Sequence, residues 1–290
     1  MYSRRIVGRA WLLAGVLVVA GAAARPAAAS VIQTDYSLQD ANSTVQVQLD
    51  AMSGPALGMY DWVVDGVQQL GRQWFWWRVD GGTGYEQPLD ALTLTYSQSS
   101  DLTGDGNPEF LRACYSDPST GAEVEVRMSL QGGAAGSNWS DIIEQIKITN
   151  TGTQAFIIHV FQYADFDLNG TPNDDVVEVT DPLYNFVVQD DGGVNYVAET
   201  IVGPKPNRYQ ADTAATLLAL LGDGSADDLN NTATAGPGQN VAWALQWDLT
   251  VQAGKSVQIS KDKMLMPEPA TLALVVLGLA GTGALRRRAR

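Results

Sequence analysis

Between residues 30 and 263 the apolar side chains of this chain recur at alternate positions, in short runs cut by glycine, proline, asparagine and aspartate. Val45, Val47 and Leu49 alternate with Gln46, Gln48 and Asp50, and Val124, Val126 and Met128 repeat the pattern. A period of two is the signature of a strand with one buried face. Comparable runs are predicted at 73–79, 89–97, 109–116, 142–149, 155–166, 183–189, 194–202, 241–251 and 255–261. The turn Asn150-Thr151-Gly152-Thr153 reads as a hairpin connection, and Ala253-Gly254 turns the last pair. A helical stripe is confined to Asp212–Leu221, about two turns. The polar, glycine-rich stretch 222–240 reads as a long surface loop, and 131–137 as a shorter one. Together these features predict an all-β fold, an antiparallel β-sandwich of many short strands, in one domain over 30–263.

The two ends follow different rules. Arg4, Arg5 and Arg9 precede an apolar run, Ala10 to Ala24, and Ala27-Ala28-Ala29 offers small residues for cleavage between Ala29 and Ser30. Residues 1–29 therefore read as a signal peptide of the general secretory type. Residues 264–290 carry Pro267-Glu268-Pro269, an uncharged run from Ala270 to Leu285, and Arg286, Arg287, Arg288 and Arg290. As a helix the run would measure roughly 24 Å, short of a hydrocarbon core of about 30 Å but within what a thinned bilayer accommodates. The arginines would keep the chain terminus cytoplasmic and leave everything before Pro267 outside.

Triplet, apolar run and arginine cluster, in that order, resemble the PEP-CTERM protein-sorting signal of Gram-negative bacteria. The resemblance implies that an exosortase, a membrane transpeptidase, recognises Pro267, Glu268 and Pro269, and that 270–285 holds the inner membrane transiently. The body would then pass to the cell surface or the extracellular matrix. Met266 stands where the family more often has valine. A plain membrane anchor for a periplasmic domain is the alternative. Association of the family with exopolysaccharide production implies a matrix or biofilm role for a non-enzymatic protein.

Charge narrows the partners. Residues 30–263 hold 10 of the 18 Lys+Arg and 31 of the 32 Asp+Glu, a formal charge of −21. Such a body repels nucleic acid and attracts divalent cations. Cys114 is the single cysteine and His159 the single histidine, which excludes a disulfide framework and a histidine or cysteine zinc site within one chain. Both lie in predicted strands, Cys114 as a buried thiol and His159 as a structural histidine, and no nucleophile motif accompanies either.

Two loops share a spacing. Asp101, Thr103, Asp105, Asn107 and Glu109 place oxygens at positions 1, 3, 5, 7 and 9 with Gly106 at position 6. Asp165, Asp167, Asn169, Thr171 and Asn173 repeat those offsets with Gly170 at position 6. Calcium takes six to eight oxygens from a tightly curled loop, and this spacing offers them. The first loop resembles the calcium loops of dockerin and integrin-type propeller repeats over nine residues, with Thr103 replacing an aspartate. Neither has the glutamate of an EF-hand at position 12, which is Arg112 or Val176. Asp/Asn/Gly-rich turns without a metal share this composition.

The aromatic block Trp74-Phe75-Trp76-Trp77 carries the last candidate. Packed inside, these rings fill a sandwich core; open to solvent, Trp74, Trp76 and Trp77 would stack on sugar rings. The second reading makes the body a carbohydrate-binding module, or a lyase or hydrolase built on the same sandwich.

Overall fold

The computed structural model describes residues 32–50, 57–82, 84–180 and 185–267. The signal peptide with Ala29 and Ser30, and the tail from Glu268 through Arg290, lie outside the described residues. Among the described residues no helix is long and apolar enough to cross a membrane.

The strands, in chain order, are β1 (Asp35–Asp40), β2 (Ser43–Gln48), β3 (Gly58–Val64), β4 (Val67–Gln68), β5 (Leu70–Val79), β6 (Gln87–Pro88), β7 (Thr93–Ser100), β8 (Phe110–Asp117) and β9 (Ala122–Gly132). They continue as β10 (Ser140–Asn150), β11 (Phe156–Phe166), β12 (Val176–Thr180), β13 (Phe186–Asp190), β14 (Asn195–Gly203) and β15 (Arg208–Thr213). After the helix α1 (Ala214–Leu220) come β16 (Thr234–Ala235), β17 (Val241–Val251) and β18 (Ser256–Pro267). Two nine-stranded antiparallel sheets result. Sheet A runs β1-β2-β3-β5-β11-β17-β15, with β4 on β3 and β6 on β5; sheet B runs β16-β12-β13-β14-β18-β10-β9-β8-β7.

Alternation explains the core between them. Val45, Val47, Val124, Val126 and Met128 are all buried, as the period-two reading requires. The helix also falls where its stripe lies, capped by the Thr213 hydroxyl accepting from the Thr216 amide.

Partnering departs from expectation in two places. β10 and β11 do not form a hairpin: β10 pairs with β9 and β18 in sheet B, whereas β11 pairs with β5 and β17 in sheet A. The last pair separates in the same way, β17 into sheet A and β18 into sheet B. The connections are held by Asn150, whose side chain donates to the Gln154 and Val251 carbonyls while its backbone bonds Lys255 and Gly254. All four strands are thereby placed between two partners in their own sheets. Sequence reading also passes over β3, β12 and β15, takes the alternation within 31–50 as one strand where β1 and β2 form, and ends the last strand too early. The boundary at 263 falls inside β18, which continues to Pro267. The 222–240 stretch is not wholly surface, since Leu229 is fully buried and Thr234–Ala235 pair with β12.

Candidate functional site

The face of sheet A turned away from sheet B carries the richest polar chemistry. Gln162 points inward to Glu199 of sheet B, so its neighbours His159, Phe161, Tyr163 and Asp165 point outward. α1 packs over this face against β11, β15 and β17. At its side lies a cleft of about 490 Å³, floored by Trp76 and walled by Tyr85, Leu218 and Leu221, with Arg72, Glu86 and Gln87 as polar lining. Trp76 meets Tyr163 edge to face, with ring centroids 6.0 Å apart. Among the described residues Glu86 is the one carboxylate in the lining, and it is already engaged by Arg78 Nε at 3.0 Å and the Asp227 amide at 3.1 Å. Burial pushes its carboxyl above the ordinary range, an effect that the Asp227 amide and Arg78 oppose.

His159 belongs to the network behind this cleft. Its Nδ1 lies 2.7 Å from Asp248 Oδ1 and its Nε2 3.0 Å from Asp80 Oδ1, so both ring nitrogens have carboxylate partners. Gln246 bridges Asp248 to Asp228, and Asp228 pairs with Arg78 and Arg208. An imidazole with both nitrogens engaged serves structure better than proton abstraction. Cys114 is half-buried, not buried as expected. Burial raises its thiol, and its sulfur faces Glu125 at 3.7 Å.

The aromatic block is core. Trp74, Trp76 and Trp77 are 0%, 6% and 7% exposed, and Trp62, Phe75, Trp243 and Trp247 are buried with them. Burying a ring of this size contributes roughly 4–6 kcal/mol relative to a fully exposed chain. Trp74 and Trp77 offer no open stacking face; Trp76 alone of the three reaches the cleft.

The two aspartate loops differ. In the first, ligand oxygens of Asp101, Asp105 and Glu109 lie within 4.8 Å of one another. Asp101 accepts from the Gly104 amide at 2.6 Å and the Gly106 amide at 2.8 Å, and these donors, Gly106 foremost, hold its carboxyl below the usual range. Thr103 donates to Glu109 at 2.7 Å, and the Asn107 amide bonds Asp105 at 2.8 Å. Gly104 and Gly106 have φ of +80° and +98°, which a side chain would strain. The residues present fit a hard cation: a curled loop with three carboxylates at one point.

The second loop does not converge. Asp165 is still in β11, and Asp165 and Asp167 stand together over Gly71. Burial, then the charge of Asp167, pushes Asp165 up to about 7. Asn169 turns away to Asp191 and Asn195, Thr171 donates to the Leu168 carbonyl, and the Asn173 carbonyl accepts from Gly238. The fully buried acid of this region is one that sequence reasoning passed over: Asp175 accepts from the Leu168 amide and from Gln189. Its burial pushes it to about 7.

A second missed group lies between the sheets. Lys261 and Lys263, both fully buried, share Glu144, while Lys261 reaches Glu199 at 3.3 Å. Gln73 donates to Glu144, and Gln162 and Trp243 donate to Glu199. Burial alone would raise Glu144, but the two ammonium groups hold it down at about 2; burial lowers Lys261 to about 8. Continuing the alternation of Ile259 and Leu265 through positions 261 and 263 would have placed both lysines inward.

At the end of β18, Pro267 pairs in register with Asn195 of β14, and residues 267–288 match the PEP-CTERM protein-sorting motif. The chain carries a PEP-CTERM sorting signal. Such a signal implies export, membrane-associated sorting in Gram-negative bacteria and processing by an exosortase. No curated protein matches the chain in sequence. Among solved structures, a bacterial glucoamylase complexed with acarbose superposes with a TM-score of 0.52 at 11% identity, over 87% of this chain and 36% of its own. The chain thus spans about a third of that protein, and the likeness is one of fold. A putative aldose 1-epimerase from Escherichia coli K12 superposes with a TM-score of 0.47 at 9% identity, over 81% of this chain and 99% of its own.

Proposed function

We propose that this PEP-CTERM protein is a surface or extracellular-matrix component that works by binding polysaccharide, with the cleft over sheet A as the glycan seat. The observation that carries the reading is the cleft itself: an aromatic floor and wall beside Arg72 and Gln87, dimensions that suit one or two sugar rings. Binding is favoured over hydrolysis because a glycosidase of the usual kind needs two carboxylates flanking the bond. Among the described residues the lining offers Glu86 alone, already committed to Arg78. The sorting signal supports delivery to the place where such polymers lie.

Calcium is the second part of the proposal. Asp101, Asp105 and Glu109, with Thr103 and Asn107 beside them, would hold the ion and brace the β7–β8 loop. The weak affinity of extracellular calcium modules would suffice.

Electrophoresis through gels containing acidic and neutral polysaccharides tests the cleft. The protein is expected to be retarded, and Tyr85→Ala, at a position that is 36% exposed, to migrate as it does without polymer while its Tm stays unchanged. Equal retardation of both proteins would move binding away from the cleft.

A further inference from the structure

The junction between body and sorting signal has almost no slack. Pro267 is the last residue of β18, a central strand of sheet B flanked by β14 and β10. The uncharged run begins at Ala270, three Cα steps later, so extended chain can span at most about 10 Å. A body tethered this closely cannot turn freely over a membrane.

Registers identify the end that the tether leaves from. Leu265 is opposite Ser140 of β10, Ser140 is opposite Gly132 of β9, and Pro267 is opposite Asn195 of β14. Loops 101–109, 133–139, 167–175 and 191–194 and the turn 65–66 therefore gather at the same end. Hydrogen bonds agree with the grouping: the Gly136 amide bonds Asp65 at 2.6 Å and Asn169 bonds Asp191, while the Gln39 amide of β1 bonds the Pro108 carbonyl at 2.9 Å. These five segments hold eight acidic residues and no lysine or arginine. Two apolar side chains stand out at their tips, Leu102 at 63% and Val194 at 59% exposure.

We propose that, until the tail is cut, the sandwich is held end-on against the lipid surface, with this acidic end, Leu102 and Val194 foremost, facing the headgroups. The proposal rests on the reading of 270–285 as a membrane-inserting segment. Its short tether imposes the geometry; charge does not, since anionic headgroups repel the exposed carboxylates of this end. Val202 stands well back from this end, level with Ser260 and Lys261 of β18. It is 74% exposed and follows Ile201, which pairs with Lys261, so it lies about 20 Å further along the strands than Asn195.

The full chain, with Cys114→Ser and a single fluorophore at Val194→Cys or Val202→Cys, is placed in vesicles containing phosphatidylglycerol and headgroup spin-labelled lipid. Quenching at 194 is expected to exceed that at 202 several-fold. Inserting 20 glycine and serine residues between Pro269 and Ala270 is expected to bring 194 down to the level of 202. Equal quenching in the parent chain, with the protein floating with the vesicles, would overturn end-on placement and leave the membrane reading intact. Failure to float would overturn the membrane reading, and this placement with it.

Discussion

Loops 101–109 and 165–173 present nearly the same oxygens at the same offsets, yet the structure gives them different shapes. The difference begins at position 1. Asp101 follows the end of β7 and is exposed, free to turn back and collect the amides of Gly104 and Gly106. Asp165 is the penultimate residue of β11 and is buried, accepting from Tyr163 at 3.0 Å. A strand directs successive side chains to opposite faces, so a ligand set whose first member is still in the ladder cannot curl around one point. Spacing alone offers two such loops; the place where the preceding strand stops decides whether their oxygens converge.

The largest contrast should appear in stability. Asp175→Ala removes the acceptor for the Leu168 amide and Gln189 in the interior, a loss of roughly 2–3 kcal/mol. For a body of this size that lowers Tm by about 5–10 °C. Asp105→Ala, at an exposed tip, is expected to stay within about 0.5 kcal/mol when measured in EDTA. Comparable losses from both variants, read by thermal melts, would erase the distinction.

Calcium should act next in size. At a concentration some 10- to 100-fold above Kd, binding stabilises by roughly 1.4–2.7 kcal/mol. Calcium is therefore expected to raise the Tm of the parent protein and of Asp167→Asn, EDTA to reverse the rise, and Asp101→Ala to abolish it. A parent melt indifferent to calcium would make both loops ordinary turns, whereas a response lost in Asp167→Asn would exchange their roles.

The smallest effect is a slope with pH. Asp165 is pushed up to about 7 from 3.8, so between those values the folded protein binds more protons than the unfolded chain. That makes stability fall as pH rises through the window. Asp165→Asn removes the contribution and is expected to gain on the parent protein, by roughly 1–2 kcal/mol, between pH 4 and pH 7. Glu144, held at about 2, acts in the opposite sense: its contribution is present above about 4.5 and lost as pH falls towards 2. A parallel pH profile for Asp165→Asn and parent would mean that Asp165 is not the buried acid described here.

Local rules made much of this fold legible. Alternation located the strands around Val45, Val124 and Ile146, and the stripe at Asp212–Leu221 located α1. Partnering was not legible, because a short glycine-containing connection serves equally for a hairpin and for a crossing between sheets. Only the Asn150 bonds to β17 and to the next turn distinguish the crossing. The ionic quartet of Lys261, Lys263, Glu144 and Glu199 draws on three strands far apart in sequence, so composition hid it behind an acidic surface. Of the aromatic block, burial was legible and the cleft was not, since Tyr85 and Leu218 reach Trp76 from separate segments.

The most direct test of the glycan-binding account is retention of the exosortase-processed protein on a column of its host's own exopolysaccharide, run in calcium and in EDTA. The cleft lies on sheet A and the Asp101 loop joins two strands of sheet B, so retention is expected in both buffers, with displacement by free oligosaccharide of the same polymer. Elution in the void volume under both conditions would contradict the account.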